Sequence, residues 1–166
     1  PVYGDPINVF TGLYICQAGG GGTSPIYNSP AELVRWSIAN DGLGSYPSEG
    51  DVWPVFVGHM PDEPDNCICV YDTTGTVDGR LQQDGKSIEH PGIQVRVRAI
   101  DHPTGYPKIT NIRNHLDSVL RQGVVIGVYQ YTIQAITLTG GVQTLGQEPD
   151  GERRVNFTIN GILTHS

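Results

Sequence analysis

The apolar positions near residue 30 predict the first regular element. Ser29, Pro30 and Glu32 form a capping box, with a serine that caps the first turn, proline at the first helical position and a glutamate that reaches back. The apolar residues that follow recur on one face of a helix, and Gly42 comes directly after them. The pattern predicts a helix over about residues 30–41.

A second helix is predicted in the later half of the chain. Apolar residues recur there at helical spacing, and Gly123 closes the pattern. The positions are Ile109, Ile112, Leu116, Val119 and Leu120.

Strand patterns fill most of the remaining chain. Residues 93–100 alternate, with Val95 and Val97 facing one way and Arg96 and Arg98 the other, as in a half-exposed strand. In the predicted strand at 129–138, the alternation of apolar and polar residues shifts by one position after Ala135, which indicates a bulge. Further strands are predicted at 53–57, 67–71, 129–138, 143–146 and 154–163.

Two stretches have no regular pattern. Residues 72–92 carry four glycines among polar groups, which predicts a long polar loop. Residues 1–28 contain two short apolar pieces and then four consecutive glycines at 19–22, which predict a flexible tether. The chain therefore divides into an extended N-terminal arm, 1–28, and one folded domain, 29–166.

The order of elements predicts an α+β fold, with two helices packed on one face of a mostly antiparallel β-sheet. The polar alternate face of the last strands then remains for solvent or for a neighbouring subunit.

Charge and composition exclude several classes of protein. The net charge is −7, whereas nucleic-acid binders are usually basic, so free DNA is a poor candidate for a partner. No apolar run approaches the roughly 18 residues that a membrane span needs, and no signal peptide is recognisable. We expect a protein made in a cytoplasm, with no membrane partner.

No reaction centre is recognisable in the sequence. The cysteines, Cys16, Cys67 and Cys69, form no disulfide framework and are expected to be packed thiols. The five histidines lack metal-binding spacing and are interpreted as surface residues, and the acidic residues at 62–65 as solvated turn carboxylates. No nucleophile elbow or phosphate loop is present. We therefore predict no catalytic residue, no metal and no cofactor, and no enzyme.

Four stretches together resemble a known family. They are the capping segment at 29–34, Trp-Pro-Val-Phe-Val-Gly at 53–58, Pro-Asp-Glu-Pro-Asp-Asn-Cys-Ile-Cys-Val-Tyr-Asp-Thr at 61–73 and His-Pro-Gly-Ile-Gln-Val-Arg-Val-Arg at 90–98. In this order they resemble the phage minor-capsid proteins grouped with tail terminators. The resemblance covers about residues 29–163, and the arm is outside it.

The resemblance implies a structural virion protein, assembled in the host bacterial cytoplasm. Such a subunit forms a homo-oligomeric ring, typically a hexamer, at the head-proximal end of the tail. The ring ends growth of the tail tube, binds the tube protein and the head–tail connector proteins, and lets DNA pass without specific binding. Candidate contacts with a neighbour or the lumen are Thr76, Asp78, Arg80, Gln82, Arg96 and Arg98.

Three alternatives remain open from the sequence. A head-completion or connector adaptor protein on the portal side of the neck would also be a small ring subunit. A small phage hydrolase would lose activity on mutation of a histidine or carboxylate. A capsid-decorating or host-binding module would be present in many copies per particle.

Overall fold

The computed structural model describes residues 28–48, 52–77, 89–147 and 154–165. These contain two helices and seven strands, so the predicted α+β class is confirmed. The predicted arm and its glycine tether lie outside the described residues, except for Asn28. In chain order the elements are α1 (Pro30–Asn40), β1 (Val55–Val57), β2 (Cys67–Val77), β3 (Glu89–Ala99), α2 (His102–Ser118), β4 (Leu120–Ile126), β5 (Tyr129–Leu138), β6 (Gln143–Gln147) and β7 (Val155–His165).

Helix α1 begins at the predicted capping box. The hydroxyl of Ser29 accepts from the backbone N–H of Glu32, and the Glu32 carboxylate accepts from the backbone N–H of Ser29 at 2.9 Å. Two of the backbone N–H groups that the start of this helix leaves unpaired are satisfied in this way. The predicted helix is therefore confirmed to within one residue at its end.

The strands form one sheet in the order β1-β2-β3-β7-β5-β4. The pairing of β1 with β2 is parallel, and the other pairs are antiparallel. The C-terminal part of β7 pairs with β5, and its N-terminal part pairs with β6 on the same side. Strand β6 therefore continues the line of β5 after a short turn. The predicted bulge is present in β5, but it lies between Ile133 and Ala135 rather than after Ala135.

Both helices cover one face of this sheet, as predicted. Helix α1 contacts β1, β2, β3 and β4, whereas α2 contacts β3, β5 and β7. The core between them consists of buried aliphatic side chains together with Phe157 and Tyr131. It includes Leu33, Ile38, Ile68, Val95, Ile112, Leu116, Phe157 and Ile159. No helix in the described ranges is long and apolar enough to cross a membrane.

The prediction of a long loop at 72–92 is wrong for the first and the last residues of this stretch. Strand β2 continues to Val77 and β3 begins at Glu89, so a large part of the stretch is a β-hairpin. The glycines that suggested a loop allow close contact between the strands. A Cβ on Gly75 would lie 1.9 Å from the carbonyl oxygen of His90. Residues 78–88 lie outside the described part of the chain.

The predicted end of the second helix is also wrong. Helix α2 ends at Ser118, and the stretch that was assigned to its last turn opens β4. Val119 has extended backbone angles, and Leu120 is exposed rather than buried. Gly123 lies within β4 opposite Thr132 and closes no helix. Helical spacing alone could not distinguish these residues, because apolar residues at this spacing also fit the start of a strand.

Candidate assembly surfaces

The sheet face opposite the helices carries a polar ladder. Gln94, Arg96 and Arg98 on β3 lie opposite Asn160, Thr158 and Asn156 on β7, and residues directly opposite share a face. The Gln94 side-chain amide donates to the Asn160 amide oxygen at 3.0 Å. The prediction of a polar strand face is therefore confirmed for this part of the sheet.

Arg98 lies on that face but is not exposed. Its side chain is only 3% exposed, because the turn at residues 59–66 covers it. One guanidinium nitrogen, Nη2, donates to the carbonyl oxygens of Pro61, Asp62 and Pro64 at 2.6, 2.9 and 2.8 Å. Within the chain, Arg98 therefore leaves little of its surface accessible to a neighbour. Its buried guanidinium is instead paired with these three carbonyl groups of the turn, and a buried charge without such partners would be costly.

A second arginine holds the same turn. Arg154, just before β7, donates to the Asp62 carbonyl oxygen at 2.7 Å. Its guanidinium also forms ion pairs with Asp65 at 2.8 Å and Glu63 at 3.4 Å. These carboxylates are partly or largely exposed, as the interpretation of solvated turn residues expected. Within the described ranges, no group of three His, Cys, Asp or Glu residues could hold a metal ion.

Arg96 lies beside an uncharged, partly apolar group of side chains. Its guanidinium carbon is 5.6 Å from the centroid of the Tyr71 ring, a distance at which a cation is attracted to the ring face. Burial and a hydrogen bond with Cys69 raise the pKa of Tyr71 to about 12. Burial also raises the pKa of the Cys69 thiol. Cys67 and Cys69 are therefore packed thiols, as expected, whereas Cys16 lies outside the described residues.

Of the predicted contact residues between 76 and 82, only Thr76 lies in the described part of the chain, on the hairpin formed by β2 and β3. Thr76 pairs with His90 and is exposed. The hairpin needs glycine on both strands, because a Cβ on Gly92 would lie 2.5 Å from the carbonyl oxygen of Thr74. The other predicted contacts on this loop, Asp78, Arg80 and Gln82, lie outside the described residues.

A serine, a histidine and an aspartate meet between the two helices. His115 on α2 has its Nε2 atom 2.9 Å from the hydroxyl of Ser37 on α1. Its Nδ1 atom is 3.1 Å from a carboxylate oxygen of Asp41. This order of contacts is that of a hydrolase triad, and no sequence motif indicated it. His115 is also largely buried, so its interpretation as a surface residue is wrong.

The surroundings of Ser37 argue against a nucleophile. Its side chain is fully buried, so a substrate could not reach it. Its hydroxyl donates to the side-chain oxygen of Gln122 on β4 at 2.6 Å. A hydroxyl has one hydrogen, and activation by a histidine requires that hydrogen to point at the histidine. The group is better explained as a buried polar connection between α1, α2 and β4.

The comparison with known proteins agrees with a structural role. A family profile described as "Bacteriophage tail terminator protein" matches residues 37–151, which is well over half of the chain. A search of curated proteins finds no match. The matched range includes α2 and β1 to β6, the last turn of α1, and the turn that Arg98 contacts. The chain belongs to the bacteriophage tail terminator family and is a structural protein of a phage tail.

Proposed function

We propose that this chain forms a ring, typically a hexamer, on the head-proximal end of the phage tail. There it ends growth of the tail tube and joins the tail to the DNA-filled head. The family match over residues 37–151 carries this proposal. The buried Ser37 supports it against the hydrolase alternative, because the triad-like group of Ser37, His115 and Asp41 has no accessible nucleophile.

The charge of the chain is compatible with a channel for DNA. A net charge of −7 gives an average field that repels phosphates, so DNA would pass through such a ring without being held. The partners in this proposal are the tail tube protein on one side and the head–tail connector proteins on the other. The mature protein is then located in the virion, after assembly in the host bacterial cytoplasm. No enzymatic step, cofactor or metal is part of the proposal.

Some predicted contact residues remain part of this proposal. Thr76 lies on an exposed hairpin, and Asp78, Arg80 and Gln82 follow it in the sequence. Arg96 is half-buried and keeps part of its surface accessible. We propose these residues as contacts with a neighbouring subunit or with the lumen. Arg98 is not included, because its guanidinium is engaged within the chain.

Deletion of the gene in the parent phage tests the proposed function. Electron microscopy of the lysate should show overlong tails separated from DNA-filled heads, and the wild-type gene supplied in trans should restore normal particles. Tails of normal length beside heads that have lost their DNA would contradict termination. That result would instead favour a connector adaptor on the portal side of the neck.

A further inference from the structure

One long part of the chain carries no ionisable charge. From Gln122 through Gln147 there is no Asp, Glu, Lys, Arg or His, although the chain has 17 acidic and 10 basic residues. This part forms most of β4 and all of β5 and β6. Exposed strands of soluble proteins are ordinarily interspersed with charges, which prevent association at their edges. The absence of charged side chains from these strands therefore calls for a functional explanation.

The same part of the chain forms one edge of the sheet, and the outermost strand changes along that edge from β4 to β5 and β6. Strand β4 pairs with β5 only as far as Ala135. Beyond that point β5 and then β6 pair with β7 on one side and with no described strand on the other. Every residue of β6 is exposed. Its outer backbone N–H and C=O groups are thus available for pairing with another strand.

Apolar side chains accompany this open edge. Leu145 on β6, at the bulge between Thr144 and Gly146, is 50% exposed. On the β4–β5 hairpin, Val125 is 54% and Val128 is 82% exposed. Single exposed apolar residues are common, but several on an uncharged edge with unpaired backbone are typical of a protein interface. We call β6 and the outer edge of β4 from Gln122 onward, with these three side chains, the uncharged edge.

We propose that the uncharged edge joins one copy of this chain to the next by pairing between strands. The inference rests on the proposed ring, because it names the surface through which the ring subunits meet. The net charge of −7 is carried entirely outside residues 122–147, so two copies repel each other over the rest of their surface on average. At the uncharged edge this repulsion is absent. Among the described strands, none pairs with the outer edge of β4, so the same chain supplies a strand that can extend the sheet.

Photocrosslinking in assembled particles tests this interface directly. Benzoylphenylalanine replaces Leu145 in the only copy of the gene, and particles are purified and irradiated. Val52 provides the matched control, since it is 75% exposed and lies outside the uncharged edge. We expect a crosslinked product made only of this chain from position 145 and much less of it from position 52. A product that contains a different virion protein, equal self-crosslinking at both positions, or no product at 145 would overturn the proposal.

A pair of charge variants gives an independent test. Leu145→Lys places an ammonium group in the proposed interface, where it would be buried without a partner, and should reduce ring-bearing tails at least about tenfold. Val52→Lys should leave them unchanged. Both purified variants should unfold at the wild-type temperature, because both side chains are at least half exposed. A folded Leu145→Lys chain that complements as well as Val52→Lys would contradict the proposal.

The two proposals can fail separately. If gene deletion leaves tail length normal while the self-crosslink at Leu145 persists, tail termination is wrong and the interface stands. If tails become overlong but Leu145 crosslinks only to another virion protein, termination stands and the interface is wrong.

Discussion

Arg98 and Arg96 show how two neighbouring, similar side chains acquire different roles. They lie two positions apart on β3 and face the same way, so a pattern of alternation treats them alike. Only Arg98 is covered by the turn at 59–66, where it donates to three carbonyl oxygens. Arg96 instead lies near the Tyr71 ring and stays half-buried. The difference arises from a segment more than 30 positions away in the chain.

Replacement of Arg98 should therefore destabilise the fold more than replacement of Arg96. We expect Arg98→Met to lower the free energy of unfolding by about 3 kcal/mol, because the carbonyl groups it satisfies would lose their donor. Arg96→Met should cost about 1 kcal/mol or less, since a partly exposed cation–π contact is weak. Urea denaturation of the two variants measures the difference. Equal losses would contradict a special role for Arg98.

His165 at the end of β7 should make stability depend on pH. Burial, with a smaller contribution from His90, lowers the pKa of His165 below its ordinary value of 6.5. The unfolded chain then binds a proton more readily than the folded chain between that lowered pKa and 6.5, so the free energy of unfolding falls as the pH falls through this window. Denaturant titrations from about pH 7.5 to about pH 5.5 measure the slope. His165→Gln should reduce this slope, and an unchanged slope in that variant would contradict the assignment to His165.

Among the larger elements, α2 shows how packing overrides helix propensity. Gly105 lies buried in this helix, where it faces Ala99 of β3 and Phe157 of β7. A Cβ at this position would lie 2.4 Å from a ring carbon of Phe157 and 2.8 Å from the Cβ of Ala99. The glycine allows the helix to lie close to the sheet. Its intrinsic cost to the helix, about 1 kcal/mol relative to alanine, is offset by this contact.

The substitution Gly105→Ala should consequently destabilise the protein. In an exposed helix the same change would stabilise by about 1 kcal/mol, but here overpacking should cost about 1–3 kcal/mol. Gly123→Ala is the control, because a Cβ at position 123 meets nothing within 4 Å. Its effect should stay within about 0.5 kcal/mol. Thermal denaturation compares the two, and a stabilising Gly105→Ala would show that α2 lies farther from the sheet.

On the scale of the whole molecule, charged side chains are absent from one part of the chain and present in the rest. Two copies of the chain repel each other through the charged part, whereas the uncharged part permits association. Residues 122–147 form most of β4 and all of β5 and β6, and they carry no charged side chain. The net charge of −7 therefore belongs to the rest of the chain. A chain of this kind resists non-specific association through repulsion. It can still meet its own copy where the strands are uncharged and unpaired. The family match and the proposed ring are both compatible with this division.

Self-association of the purified chain should therefore increase with salt. The Debye length falls from about 30 Å at 0.01 M to about 3 Å at 1 M ionic strength, so salt screens the repulsion between copies but not the apolar contacts. Sedimentation velocity at low and high sodium chloride measures the change in average mass. The Leu145→Lys variant should show a smaller increase than Val52→Lys. Association that weakens with salt would indicate attraction between opposite charges instead.

The local pattern of residues was sufficient for those features that depend on neighbours in the chain. The capping box placed the start of α1, alternation identified β3 and β7, and the parity shift located the bulge in β5. The four ordered stretches indicated the family that the profile match shows. Each of these signals is contained within a few consecutive residues, where hydrogen bonding and side-chain periodicity act directly.

Features that join distant segments required the folded arrangement. The burial of Arg98, the contact of Ser37 with His115 and Gln122, and the open edge at β6 all involve segments far apart in sequence. The end of α2 belongs with them, because pairing with β5 rather than local spacing makes residues 120–126 a strand. Periodicity reports which side of an element is apolar. Which partner covers that side, and which edge remains uncovered, depends on how the whole chain packs.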